Sequence, residues 1–140
     1  MKTWMFYALL STLFAGLTSV LAKFGLREMP VNFGIAVRTS MVFGIVWMNY
    51  FLFSEDKSNA QPELKHYIFL LVSGVTTAFS WIFYYKAIKV GDVSMVAAID
   101  KASLVITIVL SVLLLKEPLS PKLVLGGCLI LCGLLVLTWK

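Results

Sequence analysis

The chain has 140 residues, of which 60% are hydrophobic and only 14% charged, with a mean hydropathy of +0.92. A soluble globule of this size has too little interior to hide so much apolar surface, so the composition excludes an ordinary soluble domain and points to an all-α, polytopic membrane protein. The net charge of +5 is spread singly over segment ends, with no basic cluster of the kind that grips nucleic acid.

The first predicted transmembrane helix, residues 4–22, carries no charge and closes with Lys23 and Gly25. It resembles a signal peptide only superficially: no cleavage motif precedes a soluble domain, and further apolar segments follow, so it is expected to stay as a span. Ala8, Thr12, Ala15, Gly16, Ser19 and Lys23 share one helical face, where a neighbouring helix packs or a cavity wall lies. After a short turn through Arg27, Glu28 and Pro30, the second helix covers 32–53 and is interrupted by Arg38 alone. Trp47 and Tyr50 sit near its far end, as an interfacial belt requires. The stretch Ser54 to Lys65 is the one segment with the composition of a water-exposed loop.

The third helix is expected over 67–85, with Ser73, Thr77, Ser80 and Tyr84 on one face and Trp81 beside them. Gly91 suits a helix C-cap and Asp92 an N-cap for the fourth helix, 93–115. A Lys-Glu-Pro turn follows, then a fifth helix over 123–139, where Gly126 and Gly133, seven residues apart, mark a close-packing face. Cys128 and Cys132, at i and i+4 on that helix, read as small packing residues rather than a disulfide or metal pair. His66 has no His or Cys neighbour in sequence, and no phosphate loop, HExxH or nucleophile elbow is present, so neither a metal, a cofactor nor an enzymatic reaction is expected. The five helices form a single domain spanning 1–140.

Three charged residues fall inside the predicted spans. A charge near the centre of a membrane helix costs about 2.5–3.5 kcal/mol on insertion, so such residues pair or line a polar cavity. Arg38 lies about 9 Å along the second helix and Asp100 about 10 Å along the fourth, both from the same membrane face. That match makes an Arg38–Asp100 contact the most economical arrangement and leaves Lys101 as a spare cation. Ser103, Thr107 and Ser111 continue the face of Asp100 as a polar track. The candidate site is therefore a hydrated cavity lined by Arg38, Asp100, Lys101, Ser103 and Tyr84, whose net charge of one positive unit suits an anionic or zwitterionic solute. Two other readings of Asp100 and Lys101 stand beside it: a purely structural ion pair, and anchoring at the interface by snorkelling.

The run from Tyr84 to Leu137, YYKAIKVGDVSMVAAIDKASLVITIVLSVLLLKEPLSPKLVLGGCLILCGLLVL, resembles the second half of an EamA-type repeat of the drug/metabolite transporter superfamily, and LFAGLTSVLAKFGL, Leu13 to Leu26, resembles that repeat's first helix. Most members carry two such repeats inverted with respect to each other; this chain is similar to the small single-repeat bacterial and archaeal members. The resemblance implies a secondary transporter or exporter of a small metabolite in the cell membrane, working by alternating access. A single repeat would make the usual pathway as a homodimer of antiparallel copies.

The positive charges agree with insertion both ways. Lys2, Lys57, Lys65, Lys116 and Lys122 flank the N-terminal side, against Lys23, Arg27, Lys86, Lys89 and Lys140 on the other, unless Arg38 and Lys101 tip the balance. The stretch Glu117 to Pro121 is more distantly similar to the small multidrug resistance proteins and to subunits of a lipid-linked aminoarabinose flippase. The former depend on an acid in their first helix, and the first helix here has none. The latter leave open an alternative, a non-transporting membrane subunit of a lipid-linked sugar flippase or another membrane complex.

Overall fold

The structure is a computed structural model that describes residues 3–53 and 62–139. Its helices are α1 (Thr3–Gly25), α2 (Val31–Phe53), α3 (Leu64–Val90), α4 (Val93–Asp100), α5 (Ser103–Leu115) and α6 (Pro121–Thr138), and no strand occurs among the described residues. Five spans are long and apolar enough to cross a bilayer, α4 and α5 together supplying the fourth, Val93–Leu115. The expected exposed loop falls mainly on residues 54–61, outside the described residues; Lys65 belongs to α3 and pairs with Glu63 at 2.7 Å.

The chain divides into two units, Met1–Lys89 and Val90–Lys140. In the first, hydroxyls that lipid would leave unsatisfied return to their own helix: Thr12 donates to the carbonyl of Ala8, Thr18 to Phe14, Ser19 to Ala15 and Ser40 to Ala36. The small-residue face of α1 is used near its end, where Ser19 and Lys23 meet α3, while a Cβ at Gly16 would meet nothing within 4 Å beyond its own helix.

Two lysines then tie the ends of α1 and α3 together. Lys23, in the last turn of α1, donates to the carbonyls of Ile88 (2.6 Å) and Lys89 (3.3 Å). Lys89, in the last turn of α3, donates to the carbonyls of Leu26, Arg27 (2.9 Å) and Met29 (3.2 Å) just past α1. The final carbonyls of a helix have no intrahelical partner and carry its negative dipole end, so the Lys23 ammonium stabilises the end of α3, while Lys89 satisfies carbonyls of the turn that follows α1. Leu26 and Ile88, two of the few buried side chains, lie in these same segments.

The second unit departs from the expected uninterrupted helix over 93–115. α4 stops at Asp100 and α5 starts at Ser103. Across the junction the amides of Lys101, Ala102, Leu104 and Val105 bond three residues back, to Ala98, Ile99, Lys101 and Ala102. The helix is locally tightened to a 3₁₀ turn at the charged pair. Asp100 is itself a weak helix former, and its carboxylate faces the unfavourable end of the α4 dipole.

Asp92 occupies the N-cap position with extended backbone, but its side chain makes no capping hydrogen bond; its carbonyl accepts from Val96 instead. Capping is carried out at Ser120, whose Oγ accepts from the amide of Leu123 (3.2 Å) ahead of Pro121. Lys116 ends α5 in the left-handed conformation at φ 55°, and no glycine among the described residues has positive φ. α4 contacts α6. The close-packing glycine of α6 is Gly127, where an added Cβ would lie 3.3 Å from Ile108 Cδ1; Gly126 and Gly133, expected in that role, have open space. One position along an α-helix turns the face by about 100°, which separates Gly126 from Gly127. Cys128 and Cys132 are free thiols exposed in the isolated chain.

Candidate functional site

Arg38 is seven residues into α2, about 10 Å along a membrane-spanning helix. Its guanidinium lies over the Trp81 ring at 4.2 Å from the centroid and 5.5 Å from that of Tyr85, both on α3. Trp81 and Tyr85 are four residues apart, so they stack one above the other on the face of α3 that meets Arg38. A desolvated cation over aromatic faces gains about 2 kcal/mol or more, which offsets part of the cost of taking the charge into the bilayer. The rings contact the faces of the cation but do not accept its hydrogens. Arg38 Nη1 and Tyr85 Oη are both buried without a hydrogen-bond partner among the described residues. A buried guanidinium nitrogen left unpaired is an anion receptor in waiting, because the desolvation cost is already borne by the fold.

Beside this cation runs a cleft between α2 and α3 of about 540 Å³. Its walls are mainly apolar, with Val42, Phe43 and Trp47 from α2 facing Leu70, Gly74 and Trp81 from α3. Thr77, another lining residue, donates its hydroxyl to the carbonyl of Ser73, so that polar group is already satisfied.

The other sequence-predicted residues are placed as follows. Tyr84 Oη donates to Ser19 Oγ (2.8 Å), which ties α3 to α1. In the second unit, Lys101 Nζ stands 3.5 Å from Asp100 Oδ2, with side chains 64% and 41% exposed respectively. Ser103 opens α5 and its carbonyl accepts from Thr107 Oγ1 (3.0 Å), while Ser111 donates to Ile108 (3.1 Å). The hydroxyls of Thr107 and Ser111 are thus spent on their own helix. The structure brings Asp100 together with Lys101, and Arg38 together with two aromatic residues that sequence reasoning left out of the site. The Trp81–Tyr85 spacing, opposite a lone intramembrane arginine, is the signal that points to them.

The family model of the EamA-like transporter family matches residues 2–139. The chain belongs to this family. The EamA-like chain is also 34% identical over 136 residues to the "Uncharacterized transporter in cobO 3'region" of Sinorhizobium sp, a match covering 97% of this chain and 96% of the relative. No solved structure matches it. An EamA-like chain with five apolar spans among its described residues is a multi-pass membrane protein of a transporter family.

Proposed function

We propose that the protein is a secondary transporter of a small anionic or zwitterionic metabolite in a bacterial or archaeal cell membrane, working by alternating access as a homodimer, with Arg38, Asp100 and Lys101 as its binding or coupling residues. The observation that carries this reading is Arg38, a membrane-embedded guanidinium held on the Trp81 ring with a buried nitrogen that nothing in the described residues satisfies. A cation serving only to hold helices together would have its donors spent on carbonyls, as those of Lys89 are. Ser103, at the start of α5, and Tyr84, bonded to Ser19, belong to the same proposed set.

The test is flux in proteoliposomes for a panel of carboxylates, phosphates and amino acids. Wild-type protein is expected to move an anionic or zwitterionic solute, Arg38→Gln to lose that flux at least tenfold, and Arg38→Lys to recover part of it. Arg38→Gln protein that inserts normally and transports at the wild-type rate would end the proposal.

A further inference from the structure

The cleft beside Arg38 has a shape and polarity more particular than a site for a compact ion. It runs from Ile35 to Trp47 on α2 and from Leu70 to Ile82 on α3, a rise of twelve residues along each helix and so about 18 Å long. Arg38 is not itself a wall but adjoins one end: Ile35 and Thr39 line the cleft on either side of it in sequence, and Trp81, under the guanidinium, is also a wall. The remainder of the cleft offers aromatic and aliphatic side chains, and its volume of about 540 Å³ is that of a small-molecule site. Arg38 as a residue is half-buried, with Nη1 enclosed against the helix pair.

We propose that this cleft binds an amphipathic anion, a single extended apolar tail lying between α2 and α3 with a carboxylate or phosphate head on Arg38. Charge complementarity fixes the head: a cation with an unpaired buried nitrogen answers one acid group. Length and lining fix the tail, because a compact hydrophilic anion would leave most of an 18 Å apolar cleft without contacts, whereas an extended chain gains from each methylene it buries. A neutral amphiphile would leave the guanidinium unanswered, and a cationic one would be repelled by it. The inference deepens the transport reading by naming the class of solute, and it rests on that reading for the claim that the bound molecule is moved.

The test uses the full chain in nanodiscs of a zwitterionic lipid, with Trp4→Phe and Trp139→Phe so that emission comes from Trp47 and Trp81, which both line the cleft. The probes are a terminally brominated long-chain carboxylate, whose bromine quenches tryptophan on contact, and the alcohol with the same tail, which shares its partitioning into lipid. The carboxylate is expected to quench at a concentration at least tenfold below the alcohol. Arg38→Gln should erase that difference.

Gly74→Leu gives a second variant that does not touch the charge. An added Cβ there meets nothing within 4 Å beyond its own helix, so the side chain grows into the cleft rather than into the fold. It too should bring the carboxylate down to the level of the alcohol.

Equal quenching by the two probes overturns the inference, and so does one two-tailed phospholipid per chain retained through purification and lost in Arg38→Gln. If the amphiphile fails while Arg38-dependent flux of a short water-soluble anion persists, this inference falls and the transport reading stands; if no Arg38-dependent flux exists for any anion, the transport reading falls.

Discussion

Arg38 and Lys101 are both cations inside predicted spans, yet their surroundings differ in kind. Arg38 is held by the faces of Trp81 and Tyr85, whereas Lys101 meets the carboxylate of its own chain neighbour at 3.5 Å with most of its side chain exposed. An exposed pair between adjacent residues adds little to stability, and inside a bilayer each of its charges carries an insertion cost of about 2.5–3.5 kcal/mol. Neutralising both, Asp100→Asn with Lys101→Gln, is therefore expected to keep or raise the amount of inserted protein while lowering transport at least tenfold. A fall in inserted protein, read by membrane fractionation and thermal unfolding, would mark the pair as structural. The charged residues were legible from the sequence because hydropathy makes an intramembrane charge conspicuous. The aromatic cradle of Arg38 was not, because Trp81 and Tyr85 are ordinary membrane residues until the packing of α2 on α3 turns them toward a cation.

At the scale of elements, the reciprocal lysine contacts between α1 and α3 do the work that water does at the helix ends of a soluble protein. Lys89 reaches the carbonyls of Leu26, Arg27 and Met29, and Lys23 reaches those of Ile88 and Lys89. Hydrogen bonds from a charged donor are worth about 1.5–3 kcal/mol when the acceptor is otherwise unsatisfied. Lys89→Met keeps the aliphatic stem and removes the donor, and it is expected to cost about 1.5 kcal/mol of stability in a denaturant titration. That loss should change little between low and high salt, since the acceptors are carbonyls rather than screened charges. A cost that vanished at high salt would identify an ion pair instead. The sequence puts Lys23 on the packing face of the first helix and Lys89 among the flanking charges but names neither's acceptors, since a carbonyl on another helix has no residue signature. The same limit explains the glycines of α6: a seven-residue spacing identified Gly126 and Gly133, but the neighbour that decides closeness is Ile108 at Gly127. The five spans themselves were plain from hydropathy. The break after Asp100 was not, because it divides one apolar run without changing its length.

For the molecule as a whole, the described side chains bury little against one another. Leu26, Tyr85 and Ile88 make up the buried apolar set, while large residues such as Phe43, Phe51, Leu70 and Leu113 are exposed in the single chain. Within a bilayer that surface is covered by lipid or by a second copy, and lipid is as apolar as leucine, so burial alone does not decide between them. Charge does bear on it, through orientation. With five basic residues flanking each side, the positive-inside rule gives no strong preference, and copies inserted in opposite directions would supply the inverted pair that a single repeat lacks.

Thr3→Lys with Gln61→Lys shifts the balance to seven against five and should fix one orientation; Asn32→Lys with Ser94→Lys should fix the other. Each fixed variant expressed alone is expected to lose transport, and the two expressed together to regain it, with orientation read by labelling cysteines placed at the termini. Full activity from one fixed variant alone would show that parallel copies or a single chain suffice. Recovery only on coexpression would require that the working unit contain both orientations, because neither variant alters the span-embedded Arg38, Asp100 or Lys101.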